Sequence, residues 1–313
     1  MIEIPLQFKV RGFIRMDAIN YFSGKRRQLI DWFPNKVLND GLNRMGSASD
    51  WLNCAQVGTN STPPQATDTG LLGYVAGTSD VEANTFSATA SPPYYGFRRK
   101  TYRFARGATA ANLSEAGVGW ATTEGANLFC RALIVDPVTN LPTTVTPLAD
   151  EILDLTYELR YYSPTLDWTG TVVLNGVTYD ILARAASANS ASAWGEFIGT
   201  QVGVEYSSGS DFFAYDGSIG SVIQLPNGTS ASPSGSMIYN TSYSNNSLVR
   251  DMVAGSDKDG WNLGAGIRSV KFSTTGGVYQ AQFDAQGTGN PIPKTNAERL
   301  QLNFRVSWQE GSI

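Results

Sequence analysis

The sequence predicts a mainly β protein: an antiparallel β-sandwich-like core with one short N-terminal helix and a loop-rich insertion. Three observations carry this prediction. Several segments alternate apolar and polar residues with a period of two, the mark of a strand with one buried face. Charged residues make up only 16%, against roughly 25% in an average globular protein. Their place is taken by Ser, Thr, Asn and 32 glycines, residues that suit the many turns of an all-β chain. Only one stretch has convincing helical spacing. With 11% aromatic residues the chain can still build a real core.

At the N-terminus Ile2, Ile4, Leu6, Phe8 and Val10 alternate with Glu3, Pro5, Gln7, Lys9 and Arg11. This predicts a half-buried strand, with Pro5 placing its start near a sheet edge. A second short strand is expected through Phe13 and Met16. The helix is expected over residues 36–45, with Asn35 as its cap. Val37, Leu38, Leu42 and Met45 form its apolar stripe, and Gly46 would be a left-handed C-terminal cap. Leu52 to Gly58 reads as a short strand entering a Thr, Ser and Pro-rich turn at 59–64.

From 94 to 135 the pattern is strands and turns. Asp150 to Tyr162 is the clearest strand, with Leu153, Leu155, Tyr157, Leu159 and Tyr161 on one face. Asn175-Gly176 between β-branched runs predicts a hairpin with a type I′ turn. Strands are again expected at Ser269–Thr274, Val278–Phe283 and Arg299–Trp308, and the last suits a neighbour of the N-terminal strand. The layout is therefore a β-rich core over 1–185, an insertion or distal subregion rich in Ser, Gly, Asn and Tyr over 186–265, and closing strands over 266–313. No repeat of about 20–50 residues is visible, so a solenoid or propeller is not expected.

Several function classes are disfavoured by composition. The chain has no histidine, which removes Ser-His-Asp and Cys-His catalysis and the His-containing zinc sites. Its two cysteines, Cys54 and Cys130, cannot make an all-thiolate zinc site or a disulfide scaffold, and two buried free thiols are expected. The net charge of −4 offers no basic face for nucleic acid. Lys25-Arg26-Arg27 and Arg98-Arg99-Lys100 are short basic groups, expected to be solvated turns or subunit contacts. No run of about 18 apolar residues is present to span a membrane. The start Met-Ile-Glu-Ile-Pro does not resemble a secretory signal.

Three stretches resemble bacteriophage virion proteins of the tail, baseplate and tail-fibre-associated group. The first is Trp32-Phe33-Pro34-Asn35, Gly41 to Gly46, and then Cys54 to Thr59 with Thr62-Pro63-Pro64 and Thr67-Asp68-Thr69. In such proteins a small helix feeds a "VGTG…P…TDTAL"-like turn; here Asn60 replaces the second glycine and Gly70 the alanine. The second is Asn112 to Trp120 followed by Asn127 to Ile134, and the third is Leu148 to Arg160. The resemblance covers 1–185 and the final strand. It implies a structural component of the virion, assembled in the bacterial host cytoplasm and acting through oligomerisation with copies of itself and other virion proteins. The alternatives are a head-associated decoration or connector protein, or a host-receptor or carbohydrate-binding module.

Each chemical candidate has a plainer reading beside it. Asp150, Glu151, Asp154 and Glu158 are the densest acidic group, and a glycosidase needs two carboxyl groups about 5–10 Å apart. The preferred reading is a solvated strand face with basic partners on neighbouring strands. Ser256 to Gly260 begins like a calcium loop, but Trp261 and Arg268 stand where ligands are needed, so an ordinary turn is expected. Phe212, Phe213, Tyr215, Tyr239 and Tyr243 lie in a composition used by adaptable binding loops. They are candidates for receptor contact with a host surface polysaccharide, or for packing beneath a loop or against a subunit, which is preferred. No catalytic, cofactor-binding or metal-binding residue is assigned, and no enzyme or cofactor is expected.

Overall fold

The computed structural model describes residues 3–162, 164, 166–191, 212–235, 239–274 and 276–311. The chain is mainly β. Its first elements are β1 (Glu3–Asn20), β2 (Arg26–Pro34), β3 (Lys36–Val37), α1 (Asn39–Met45), β4 (Cys54–Gly58), β5 (Tyr74–Thr78) and β6 (Val81–Ala88). There follow β7 (Tyr95–Phe104), β8 (Glu115–Gly119), β9 (Leu128–Leu133), β10 (Glu151–Tyr162), β11 (Trp168–Leu174), β12 (Val177–Ala185) and β13 (Phe212–Tyr215). The last are β14 (Ser230–Ala231), β15 (Tyr239–Asn240), β16 (Val249–Ser256), β17 (Ser269–Thr274), β18 (Gly277–Ala285) and β19 (Leu300–Glu310).

The strands form three sheets, a sandwich-like architecture with a single described α-helix. One sheet has the order β15-β16-β19-β1-β10-β7-β6, with β2 paired to β1; the second runs β11-β12-β18-β17-β13-β14, and the third β3-β9-β8-β4-β5. The N- and C-terminal strands are neighbours, as their similar alternation suggests. Since β1 lies between β19 and β10, Pro5 is not at a sheet edge, contrary to expectation. β1 is also one strand of 18 residues rather than two short ones.

The chain divides into two compact units. One comprises Met1–Lys9, Ser87–Gly96 and Tyr161–Gln309, and the other Val10–Phe86, Phe97–Arg160 and Glu310–Ile313. This is a different cut from core, insertion and closing strands. Within the stretch 186–265, β13 pairs with β17 and β16 pairs with β19.

In the first unit the expected hairpin is present. β11 and β12 pair from Trp168↔Ala183 to Leu174↔Val177, and Asn175 and Gly176 take φ of 49° and 79°, as a type I′ turn requires. An aromatic core lies among β13, β17 and β19. The Phe272 and Phe304 ring centroids are 4.0 Å apart, and Phe212 stacks on Trp261 at 5.3 Å. Burying each such ring contributes about 1.5–3 kcal/mol.

In the second unit the short helix starts later than its apolar stripe implies. Lys36 and Val37 pair with Arg131 and Cys130 as a strand, and the Leu38 amide donates to the Phe129 carbonyl at 3.0 Å. The helix is capped by Leu38 with no side-chain bond, so Asn35 is not its cap. Gly46 has φ −80°, not the expected left-handed value. Val37 and Leu38 still face the core, because a strand running into a helix can satisfy the same spacing. Gly41 looks like a poor helix residue until its setting is seen: a Cβ there would lie 2.2 Å from the Phe129 carbonyl oxygen. The glycine lets the helix lie directly on β9.

Candidate functional site

The acidic face of β10 is buried, not solvated. Asp154 has no exposed side-chain surface and accepts from Arg26 at 2.7 Å and from Arg103 at 2.9 Å. Glu158 accepts from Arg99 Nε at 3.0 Å and Arg160 Nε at 2.6 Å. Glu151 receives both Nε and Nη2 of Arg27 at 2.7 Å, and this guanidinium holds its carboxyl below the usual carboxylate range. Asp150 accepts from the Asn20 amide at 2.6 Å. Each carboxylate thus has a donor from a neighbouring strand or turn, the reading preferred over a glycosidase pair. Arg26, Arg27 and Arg99 reach these acids while keeping 43–48% of their side-chain surface exposed, so Lys25-Arg26-Arg27 is solvated as expected, whereas Arg98 and Lys100 are buried. Lys100 is 8% exposed and donates to the Leu52 carbonyl at 2.9 Å. Burial lowers its pKa to about 8.

The four aromatic candidates whose side chains are described, Phe212, Phe213, Tyr215 and Tyr243, differ in burial and in the partners they pack on. Phe212 is fully buried, within 5.7 Å of Phe272 and 5.3 Å of Phe304. Tyr215 is buried on the same strand, and Phe213 is half-buried with the Lys271 ammonium 5.5 Å from its ring. Half-buried Tyr243 lies 5.7 Å from the Trp308 ring. Tyr239 is in β15, and its side chain lies outside the described residues.

The turn that begins like a calcium loop encloses a cation from its own chain. Lys294, 4% exposed, donates to the carbonyls of Asp257 at 3.0 Å and Gly260 at 2.5 Å and to Asn262 Oδ1 at 2.9 Å. Burial lowers its pKa, while Glu298, Asp257 and Asp259 act in the opposite sense. The Asp257 carboxylate pairs with Arg299 at 3.0 Å. Among the described residues no three His, Cys, Asp or Glu side chains cluster as a metal site would need.

The 59–73 turn is fastened from beneath by Arg131, which has no exposed surface. Its Nε donates to Glu115 at 2.8 Å, its Nη1 to Asp68 at 2.7 Å and its Nη2 to the Thr62 carbonyl at 2.9 Å. Glu115, equally buried, also accepts from the Gly73 amide at 2.6 Å. The "TDT" aspartate is therefore a loop clasp. Beside the turn an open groove of about 550 Å³ is lined by Pro34, Pro64, Leu133 and Val135 together with Lys36 and Glu310. Glu310 pairs with Lys36 and accepts from the Val37 amide at 2.9 Å. That contact occupies a backbone donor of β3, the edge strand of its sheet.

Two exposed features were not visible in the sequence. Tyr21 and Phe22, 55% and 75% exposed, project from the β1–β2 turn with Arg106 stacked over both. β6 is the other: its first six residues are all exposed, and it ends its sheet. The usual strand signal is missing there because Val81-Glu-Ala-Asn-Thr-Phe-Ser-Ala88 has no buried face to mark. Cys54 and Cys130 are free and buried, and burial pushes the Cys130 thiol up to about 12. No family model, curated protein or solved structure matches the chain.

Proposed function

We propose that the chain is a structural component of a bacteriophage particle, a tail, baseplate or tail-fibre subunit that acts by oligomeric assembly. The phage assignment rests on the sequence resemblance. The observation that supports a structural role is the internal use of the reactive side chains: Asp154, Glu158, Glu115 and Arg131 are buried in ion pairs. What the surface offers instead is exposed apolar side chains and sheet edge. An assembly subunit buries such features against its neighbours, in interfaces of roughly 2,000 Å² or more when the complex is obligate. The test is an antibody raised against the purified chain and applied to phage particles under the electron microscope. Labelling at the tail end is the expected result. Labelling of the head would move the subunit to the decoration or connector class, and particles that lack the chain would overturn the proposal.

A further inference from the structure

We infer that β6 is a self-association edge, pairing antiparallel with β6 of a second copy of this chain. This rests on the assembly reading above and names the surface that carries it. Among the described residues β6 pairs with β7 alone, so its other edge presents a row of backbone donors and acceptors. Val81 and Phe86 are 39% and 42% exposed, and the strand's six leading residues are all exposed. Such a strand costs conformational entropy to order while burying little in return.

Edge strands are ordinarily guarded by lysine, proline, a bulge or extreme shortness. β6 has eight residues and none of these residues in its sequence. The contrast within the chain is β3, two residues long and capped by the Glu310 carboxylate. The one charge of β6, Glu82, is already matched by Arg103 at 2.7 Å, and Asn84 accepts from Arg98 at 2.8 Å. The edge is thus close to neutral, and nothing in it repels an identical strand.

The partner follows from self-complementarity. A two-fold axis perpendicular to the sheet pairs residues whose numbers have a constant sum, and the same patch serves both copies. Centred on Thr85, it sets Thr85 opposite Thr85, Asn84 opposite Phe86, Ala83 opposite Ser87 and Glu82 opposite Ala88. Thr–Thr is a favourable cross-strand pair, and no like charges meet.

The experiment is sedimentation equilibrium of the full chain and of an Ala83→Lys/Thr85→Lys variant, over a wide concentration range. Both positions are exposed, so the variant keeps its fold, as circular dichroism should show; Thr85→Val serves as a second variant that preserves pairing. Four ammonium groups brought together at one edge should weaken self-association by roughly tenfold or more, while Thr85→Val associates like the wild type. A lysine variant that assembles like the wild type would overturn the β6 inference and leave the assembly reading intact. A wild-type chain that stays monomeric throughout would overturn the β6 inference and count against self-assembly as well.

Discussion

Replacing Arg131 with methionine tests whether the clasp under the 59–73 turn holds that part of the chain together. Methionine fills much of the same space but carries no charge. It would leave the Glu115 carboxylate with only backbone amides, those of Gly73 at 2.6 Å and Leu72 at 3.3 Å. Both side chains of the Arg131–Glu115 pair have 0% exposure, so water cannot take over. Removing one member of such a buried pair costs about 3–5 kcal/mol. For a unit of this size 1 kcal/mol moves the melting temperature by about 2–4 °C. The variant should therefore melt roughly 10 °C below the wild type, followed by tryptophan fluorescence. Asp68 and the Thr62 carbonyl lose the same partner, so limited proteolysis should cut within 59–73 before the rest unfolds. The double variant Glu115→Gln/Arg131→Met removes both charges and should recover part of the loss, which a double-mutant cycle would read as coupling. A single variant that melts within about 2 °C of the wild type would refute the reasoning.

Three further outcomes follow from buried groups. Lys100 has a folded value of about 8 against 10.5 for an ordinary lysine, so between these the unfolded chain holds a proton that the folded one has released. Stability should rise as pH goes from about 8 to 10, and Lys100→Met should flatten that slope and add on the order of 1–3 kcal/mol at neutral pH; urea titrations at several pH values check both. Phe212→Ala should cost about 3–5 kcal/mol, seen as a lower melting temperature, whereas a receptor-facing phenylalanine would leave it unchanged. A thiol reagent should label neither Cys54 nor Cys130 rapidly in the native protein and both in denaturant; fast native labelling of Cys54 would mean that its cover opens readily.

What the sequence revealed and what it hid divide along physical lines. β10 and β19 were legible because the apolar residues of each share one face, which sets Leu153, Leu155 and Tyr157, or Leu302, Phe304 and Val306, in alternation with polar ones, although the polar face of β10 is largely buried as well. The Asn175-Gly176 turn was legible because few residues tolerate positive φ at both positions. The helix start was misread because Val37 and Leu38 satisfy both a strand pairing and a helical stripe. The arginine–carboxylate network was hidden by distance along the chain: Arg26 and Asp154 are 128 residues apart, and Arg103 and Asp154 are 51 apart. Phe212 drew attention through the Tyr, Ser and Gly around it, yet it is a core residue. Composition reports on a neighbourhood, and burial is decided residue by residue.

The cradle around Lys294 has a consequence for the conditions the fold can endure. A turn that closes on a dissolved ion is only as secure as the supply of that ion, and dilution or a chelator opens it. Here the positive charge is delivered by a covalent tether, so its local concentration does not change with the medium. The 257–262 turn should hold its shape equally well in chelating buffer and in calcium-rich broth, a joint that ignores the ionic content of its surroundings.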